Sequence, residues 1–185
     1  IFMEVTDSYQ LYLDKELTYS IPPRRPTDPP IIIKNMAIIR KGLVTIPIGR
    51  TDLIPNDYEI VDKRVDSPIE GFDFKFELRP SQQSVYDDIK DSCIINAWVS
   101  WGKTFTALAI ANKLKQKTLV VTHTLALRSQ WEKEAKKVFG VTAGVIGSGK
   151  FEMDSDIVIG NVQTLYRNQG KIADKFGTII LDEMH

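Results

Sequence analysis

Two short runs of this 185-residue chain hold residues that can manage a phosphate: Ala97–Thr104 reads AWVSWGKT, and Thr178–His185 reads TIILDEMH. The first lies between a strand candidate and a helix candidate. The start of a helix offers N–H groups without partners and the positive end of the helix dipole, which together bind a phosphate anion. Gly102 lets the backbone approach the phosphates, Lys103 brings a positive charge to the β- and γ-phosphates, and the Thr104 hydroxyl is placed to ligate Mg²⁺. The second run is an apolar strand ending in Asp-Glu. A parallel strand delivers such carboxylates to its C-terminal edge, where open α/β sheets bind ligands. There Asp182 would hold Mg²⁺ and Glu183 would act as general base on an attacking water.

Alone, each run has a plain alternative. A Gly-Lys-Thr triplet can be a helix start with an exposed lysine, and an Asp-Glu pair after a strand can be a solvated loop. Together they point to an ATP–Mg²⁺ site, because phosphoryl transfer needs a metal-holding carboxylate opposite the lysine. The first run departs from GxxxxGK[ST] in carrying Ala97 at the first glycine position. A second glycine-rich piece, Gly147-Ser148-Gly149-Lys150, reads as a turn.

The elements that must position these residues form a βαβ pattern. Strand candidates are Cys93–Ala97, Thr118–Thr122, Val141–Ile146, Ile157–Gly160 and Thr178–Leu181. Phe105, Leu108, Ala111 and Leu114 mark one helix; Leu127, Trp131, Ala135 and Val138 mark the buried stripe of the next. The front of the chain differs. Eight of nine prolines precede residue 70, and Pro22, Pro23, Pro26, Pro29 and Pro30 favour extended, loop-like backbone. Tyr9–Leu13 and Leu43–Ile48 read as strands. Asn35–Lys41 reads as a short helix capped by Asn35 and stopped by Gly42, with a strand over Ala37–Arg40 as the competing reading. The expected organisation is a small mixed α/β module over 1–70 and an α/β lobe with a mostly parallel sheet over 71–185.

Composition bounds the rest. Hydrophobic residues are 43% and charged residues 26% of the chain, as in a soluble globular protein. No apolar run is long enough to span a bilayer, and no signal peptide is visible. The single cysteine, Cys93, fits a reducing compartment, and the expected location is cytoplasmic. The formal net charge is zero, so nucleic-acid binding must come from a local patch.

The motifs in order resemble the superfamily-2 helicases. Asp182-Glu183-Met184-His185 looks like the DExH form of helicase motif II, and the family often writes its phosphate loop with alanine first. Ser100 stands where glycine is usual, as in phage UvsW-type members; Trp98 and Trp101 are unusual and read as packing under the loop. Leu78-Arg79-Pro80-Ser81-Gln82-Gln83 resembles the LRPYQ stretch whose glutamine reads the adenine edge, implying Gln82 and Arg79. Ser81 replaces the usual aromatic. Thr122–Leu125 with Gln130-Trp131 resembles motif Ia, with His123 where proline is usual, and Gly160–Leu165 looks like the next strand-contacting motif. Val145–Lys150 is similar to a segment of XPB-like members, and Ile46–Arg50 with Leu53–Pro55 to their front module.

The resemblance implies a RecA-like P-loop domain that hydrolyses ATP and steps along DNA, with RNA as the other possible track. It implies catalytic roles for Lys103, Asp182 and Glu183. Nucleotide contacts would come from Arg79, Gln82, Ala97, Ser100, Trp101, Gly102, Lys103, Thr104 and His185, and metal contacts from Thr104 and Asp182. Thr124, Arg128, Gln163 and Thr164 would touch nucleic acid. Between Lys113 and Lys137 there are seven Lys/Arg and two Glu, which fits phosphate contact. In the front module Arg24, Arg25, Arg40, Lys41, Arg50, Lys63 and Arg64 are candidate DNA contacts. A second RecA-like lobe, the expected partner, would complete the ATP site, and the lobe seen here would carry an exposed strand edge. A non-helicase P-loop ATPase and an inactive nucleic-acid-binding module are the alternative classes.

Overall fold

The computed structural model describes residues 1–183 and divides the chain into two compact units, Ile1–Val61 and Asp62 onward. The division precedes the compositional change. Residues 67–72 are stapled to the second unit: Lys117 N donates to Ser67 O at 2.7 Å, Ile69 N to Lys115 O at 3.0 Å and Phe72 N to the Asn112 side chain at 2.6 Å.

In the first unit β1 (Phe2–Glu4) is followed by α1 (Asp7–Glu16), the ribbon β2 (Thr18–Ile21) and β3 (Ile31–Lys34), and the hairpin β4 (Ala37–Arg40) and β5 (Leu43–Thr45). Strands β1, β5 and β4 form a three-stranded antiparallel sheet. Two expectations fail here. Tyr9–Leu13 is helical because Thr6 caps the helix by accepting from Tyr9 N, and because Leu13 and Leu17 sit four residues apart on one buried face. Asn35–Lys41 is not a helix: β-branched Ile38 and Ile39 lie in β4, which pairs with β5, and Gly42 at φ +75° makes the hairpin turn. Leu43–Ile48 is a strand only as far as Thr45. The core holds Met3, Leu13, Leu17, Val44, Ile46 and Leu53.

The second unit is a three-layer α/β domain. After α2 (Pro80–Asp88) come α3 (Lys103–Leu114), β6 (Thr118–Thr122), α4 (Leu125–Phe139), β7 (Gly144–Gly147), β8 (Lys150–Phe151), β9 (Ile157–Asn161), α5 (Val162–Arg167), α6 (Gln169–Ile172) and β10 (Thr178–Leu181). The five-stranded sheet has the order β10-β6-β9-β7-β8, parallel except for β8. Alternation sorts its side chains. Val120, Ile157 and Ile159 join Leu108, Trp131, Ala135 and Val138 on the α3/α4 face, whereas Leu119, Val158, Ile146 and Leu165 pack on the α5 face. Phe72 and Phe74 extend the core on the α3/α4 face, with Phe72 stacked on Phe139 at 4.3 Å.

Cys93–Ala97, expected as the first strand of this sheet, is unpaired, and Ile94 is 89% exposed. The run is apolar up to Asn96, but strand propensity acts only against a partner edge, and this segment pairs with none. Val141–Ile146 forms a strand only from Gly144. Strand β10 lies at the sheet edge, with Ile179 and Leu181 exposed, as expected for an open strand edge. No helix among the described residues is long and apolar enough to cross a membrane.

Asn112 ties the phenylalanine-rich segment to α3, accepting from Phe72 N and donating to Phe72 O at 3.1 Å. Asn112→Ala is expected to destabilise the unit by about 1–3 kcal/mol, read by urea unfolding, because both backbone groups of Phe72 lose their partner.

Candidate nucleotide site

The topology sets where the chemistry can occur. The parallel strands β6, β7, β9 and β10 end at one rim, at Thr122, Gly147, Asn161 and Leu181. Helix α3 connects to the start of β6 through Lys115–Lys117 alone and packs against β10. A helix of that length running back along the sheet puts its first turn at the rim where the strands end. Lys103 and Asp182 therefore lie at the same edge.

The loop before α3 is held from outside. Trp101 is buried at 4% exposure, and Trp98, expected to pack with it, is 72% exposed. The Trp101 carbonyl accepts from the Gln82 amide at 3.0 Å and from the Arg79 guanidinium. Gln82 is buried, and its other end accepts from Arg79 N at 2.9 Å. The two residues read as base contacts from sequence thus grip the loop itself. Ser100 and Gly102 both adopt left-handed backbone, φ 65° and 93°. A Cβ on Gly102 would lie 2.6 Å from Gln82 Nε2, so a side chain there would have to displace the Gln82 amide, and the left-handed backbone favours glycine. No side chain caps α3, and Lys103 Nζ donates to Ala97 O at 3.1 Å. Thr104 follows in the first helical turn. That turn keeps its N–H groups for an anion.

At the end of β10, Asp182 N donates to Val121 O at 3.2 Å, and the Asp182 carboxylate accepts from Trp131 Nε1 at 2.7 Å. Glu183 follows with φ 57° and is exposed; His185 lies outside the described residues. Sequence reasoning placed Trp131 only in the buried stripe of α4. The missed signal is chemical: a buried tryptophan must find an acceptor for its N–H.

The nucleic-acid candidates lie along the same rim, after β6 and β9. Thr124 caps α4, its hydroxyl accepting from Leu127 N at 3.2 Å; Gln163 is exposed and Thr164 half-buried in the first turn of α5. Arg128 turns inward. It donates to Glu132 at 3.0 Å, Ser148 at 3.1 Å and Asn161 at 3.0 Å, tying α4 to the Gly147–Lys150 turn, which joins β7 to β8. Of the candidates read in the front module, Arg40 pairs with Glu4 and Arg50 with Asp52, while Arg64, which falls in the second unit, pairs with Asp62. The bond from Arg50 holds the Asp52 carboxyl below the usual carboxylate range.

Residues 75–185 match the family described as Type III restriction enzyme, res subunit. The chain belongs to this family. The relatives that follow are named helicases or translocases, which supports a helicase-type domain of superfamily 2. It is 40% identical over 178 residues to the Probable helicase D10 of Escherichia phage T5, covering 94% of this chain and 39% of that protein. It is 30% identical over 139 residues to the DNA 3′-5′ translocase XPB2 of Sulfurisphaera tokodaii, covering 74% of this chain and 31% of the relative. Putative helicase 109L of Invertebrate iridescent virus 3 is 34% identical over 103 residues, covering 51% of this chain and 31% of that protein. The chain thus spans well under half the length of these relatives.

Two substitutions in the loop are expected to act with opposite sign. Ser100→Gly relieves about 1 kcal/mol of left-handed backbone cost and raises the unfolding midpoint. Gly102→Ala strains the backbone, pushes Gln82 off the Trp101 carbonyl and weakens nucleotide binding about tenfold or more, read by titration with a fluorescent ATP analogue.

Proposed function

We propose that this chain supplies the nucleotide-binding lobe of an ATP-dependent DNA helicase or translocase of the DExH type, similar to UvsW-type and XPB-like motors, which acts on branched DNA. The observation that carries the reading is the shared rim: the uncapped start of α3 with Lys103, and the end of β10 with Asp182, meet one edge of one sheet.

In this reading the first-turn amides of α3 and the Lys103 ammonium bind the β- and γ-phosphates. Lys103 leaves the Ala97 carbonyl to do so, exchanging a neutral acceptor for a charged one. Arg79 and Gln82 hold the loop in the shape the phosphates need; a contact from Gln82 to the adenine edge would use an amide end that now holds Trp101 O or Arg79 N. Ala97, Ser100 and Trp101 shape the loop around the phosphates. Glu183 takes the proton of the attacking water. The Thr104 hydroxyl and the Asp182 carboxylate are hard oxygen donors, which suits Mg²⁺ arriving with the nucleotide. When bound, that ion offsets negative charge on the phosphate oxygens.

DNA as the track is supported by the relative named a DNA 3′-5′ translocase. Thr124, Gln163 and Thr164 lie on exposed or half-buried rim positions suited to a phosphate backbone, with Arg128 behind them holding the turn. Arg24, Arg25 and Lys41 of the first unit are exposed and are its best candidates for gripping DNA. A second RecA-like lobe supplies the arginines that complete hydrolysis, worth several orders of magnitude in related reactions, so the 185 residues alone are expected to turn over ATP slowly.

The test uses the full-length protein. Wild type is expected to hydrolyse ATP faster with forked or four-way-junction DNA, and Lys103→Ala and Glu183→Gln are each expected to lower that rate by about a hundredfold or more. ATPase activity indifferent to DNA would favour a non-helicase ATPase. Variants as active as wild type would refute the assigned site.

A further inference from the structure

Resting on the site reading above, we infer that Trp131 is a positioning residue for the metal-holding carboxylate of Asp182. The indole is 1% exposed and packed among Leu108, Val120, Ala135 and Ile159. Its N–H donates to Asp182 Oδ2 at 2.7 Å. Among the described residues no other side chain donates to this carboxylate, while the backbone N–H of Asp182 is fixed to Val121 O at 3.2 Å. The residue is thus held at two points, one on β6 and one on α4.

The chemistry of the pair suits orientation better than neutralisation. A carboxylate is purely an acceptor, with room for about four hydrogen-bond donors on its two oxygens. One indole N–H occupies a single site on Oδ2 and leaves Oδ1 to the ion or to its water. An arginine or lysine in this position would cancel the charge the ion needs; an uncharged indole fixes the plane of the carboxylate and leaves the charge in place. The indole is also a donor only and cannot compete for the ion. Its rotamer is locked by core packing, so the carboxylate is already in its working orientation before nucleotide arrives. A purely structural tryptophan needs any acceptor for its N–H. Here the acceptor is the carboxylate to which the site reading gives the metal, reached from a helix fifty-one residues away in sequence.

Trp131→Phe in the full-length protein keeps most of the apolar ring and removes the donor. With Mn²⁺ as the probe and a non-hydrolysable ATP analogue present, the variant is expected to bind Mn²⁺ about tenfold or more weakly by electron paramagnetic resonance. Metal-free binding of the same analogue is expected to stay as in wild type. Unchanged Mn²⁺ affinity in the folded variant would overturn the positioning role. Failure of wild type itself to bind Mn²⁺ with the analogue would instead refute the site reading beneath it. A second measurement does not depend on the fold of Trp131→Phe. In wild-type protein labelled with ¹⁵N, one indole N–H resonance is expected far downfield, moving upfield in Asp182→Ala and staying in Lys103→Ala. If no indole resonance responds to Asp182→Ala, the bond does not exist in solution and the inference fails.

Discussion

The Trp131 side chain joins the core of the second unit to the rim proposed to hold the nucleotide. The Trp131 ring fills the space under α4 that Leu108, Val120 and Ile159 leave, and its N–H ends on Asp182 at the strand terminus. Packing in such a core is close and rotamers are fixed, so the carboxylate inherits the rigidity of the hydrophobic layer. By this bond a helix that contributes no atom to the loop before α3 reaches the proposed site.

The loop on the other side of the site is built by the opposite means. Nothing apolar could hold a backbone carbonyl in place, and Trp101 O is instead gripped by two polar side chains from the start of α2. The buried amide of Gln82 uses both of its ends, as a buried polar group must. Left-handed backbone at Ser100 and Gly102 then turns the chain into α3. One wall of the site is thus fixed by packing and the other by hydrogen bonds, and the sheet between them sets which edge they share.

Much of this architecture was legible in the sequence wherever burial imposed a period. Thr118–Thr122 and Thr178–Leu181 form strands with the expected bounds, and Ala135 and Val138 line the buried face of α4; the core leaves no freedom to Thr118–Thr122 and to the α4 stripe, while the edge strand is marked by its unbroken apolar run. The front unit was less legible. The spacing of Tyr9, Leu13 and Leu17 is helical, but three residues in a short segment do not outweigh aromatic and aliphatic strand formers nearby. Ile38–Ile39 posed the converse problem, since the hairpin that decides it depends on a partner strand. Cys93–Ala97 stays unpaired although the outer edge of β10 is open, and nothing in the structure explains it. In the site, the residue types and their order were readable, but Gln82 bonded to Trp101 O and Trp131 bonded to Asp182 were not, because both bonds depend on how elements distant in sequence pack.

The claim on which everything rests is that the loop around Lys103 and the carboxylate of Asp182 enclose one metal–nucleotide complex. The most direct measurement replaces Mg²⁺ by Fe²⁺ in full-length protein with bound ATP analogue. Peroxide and ascorbate are then added, and the sites of local backbone cleavage are mapped by mass spectrometry. The account requires cuts both at Gly102–Thr104 and at Asp182–Glu183, with both lost in Lys103→Ala. Cleavage at only one of these segments, or at neither, would contradict it.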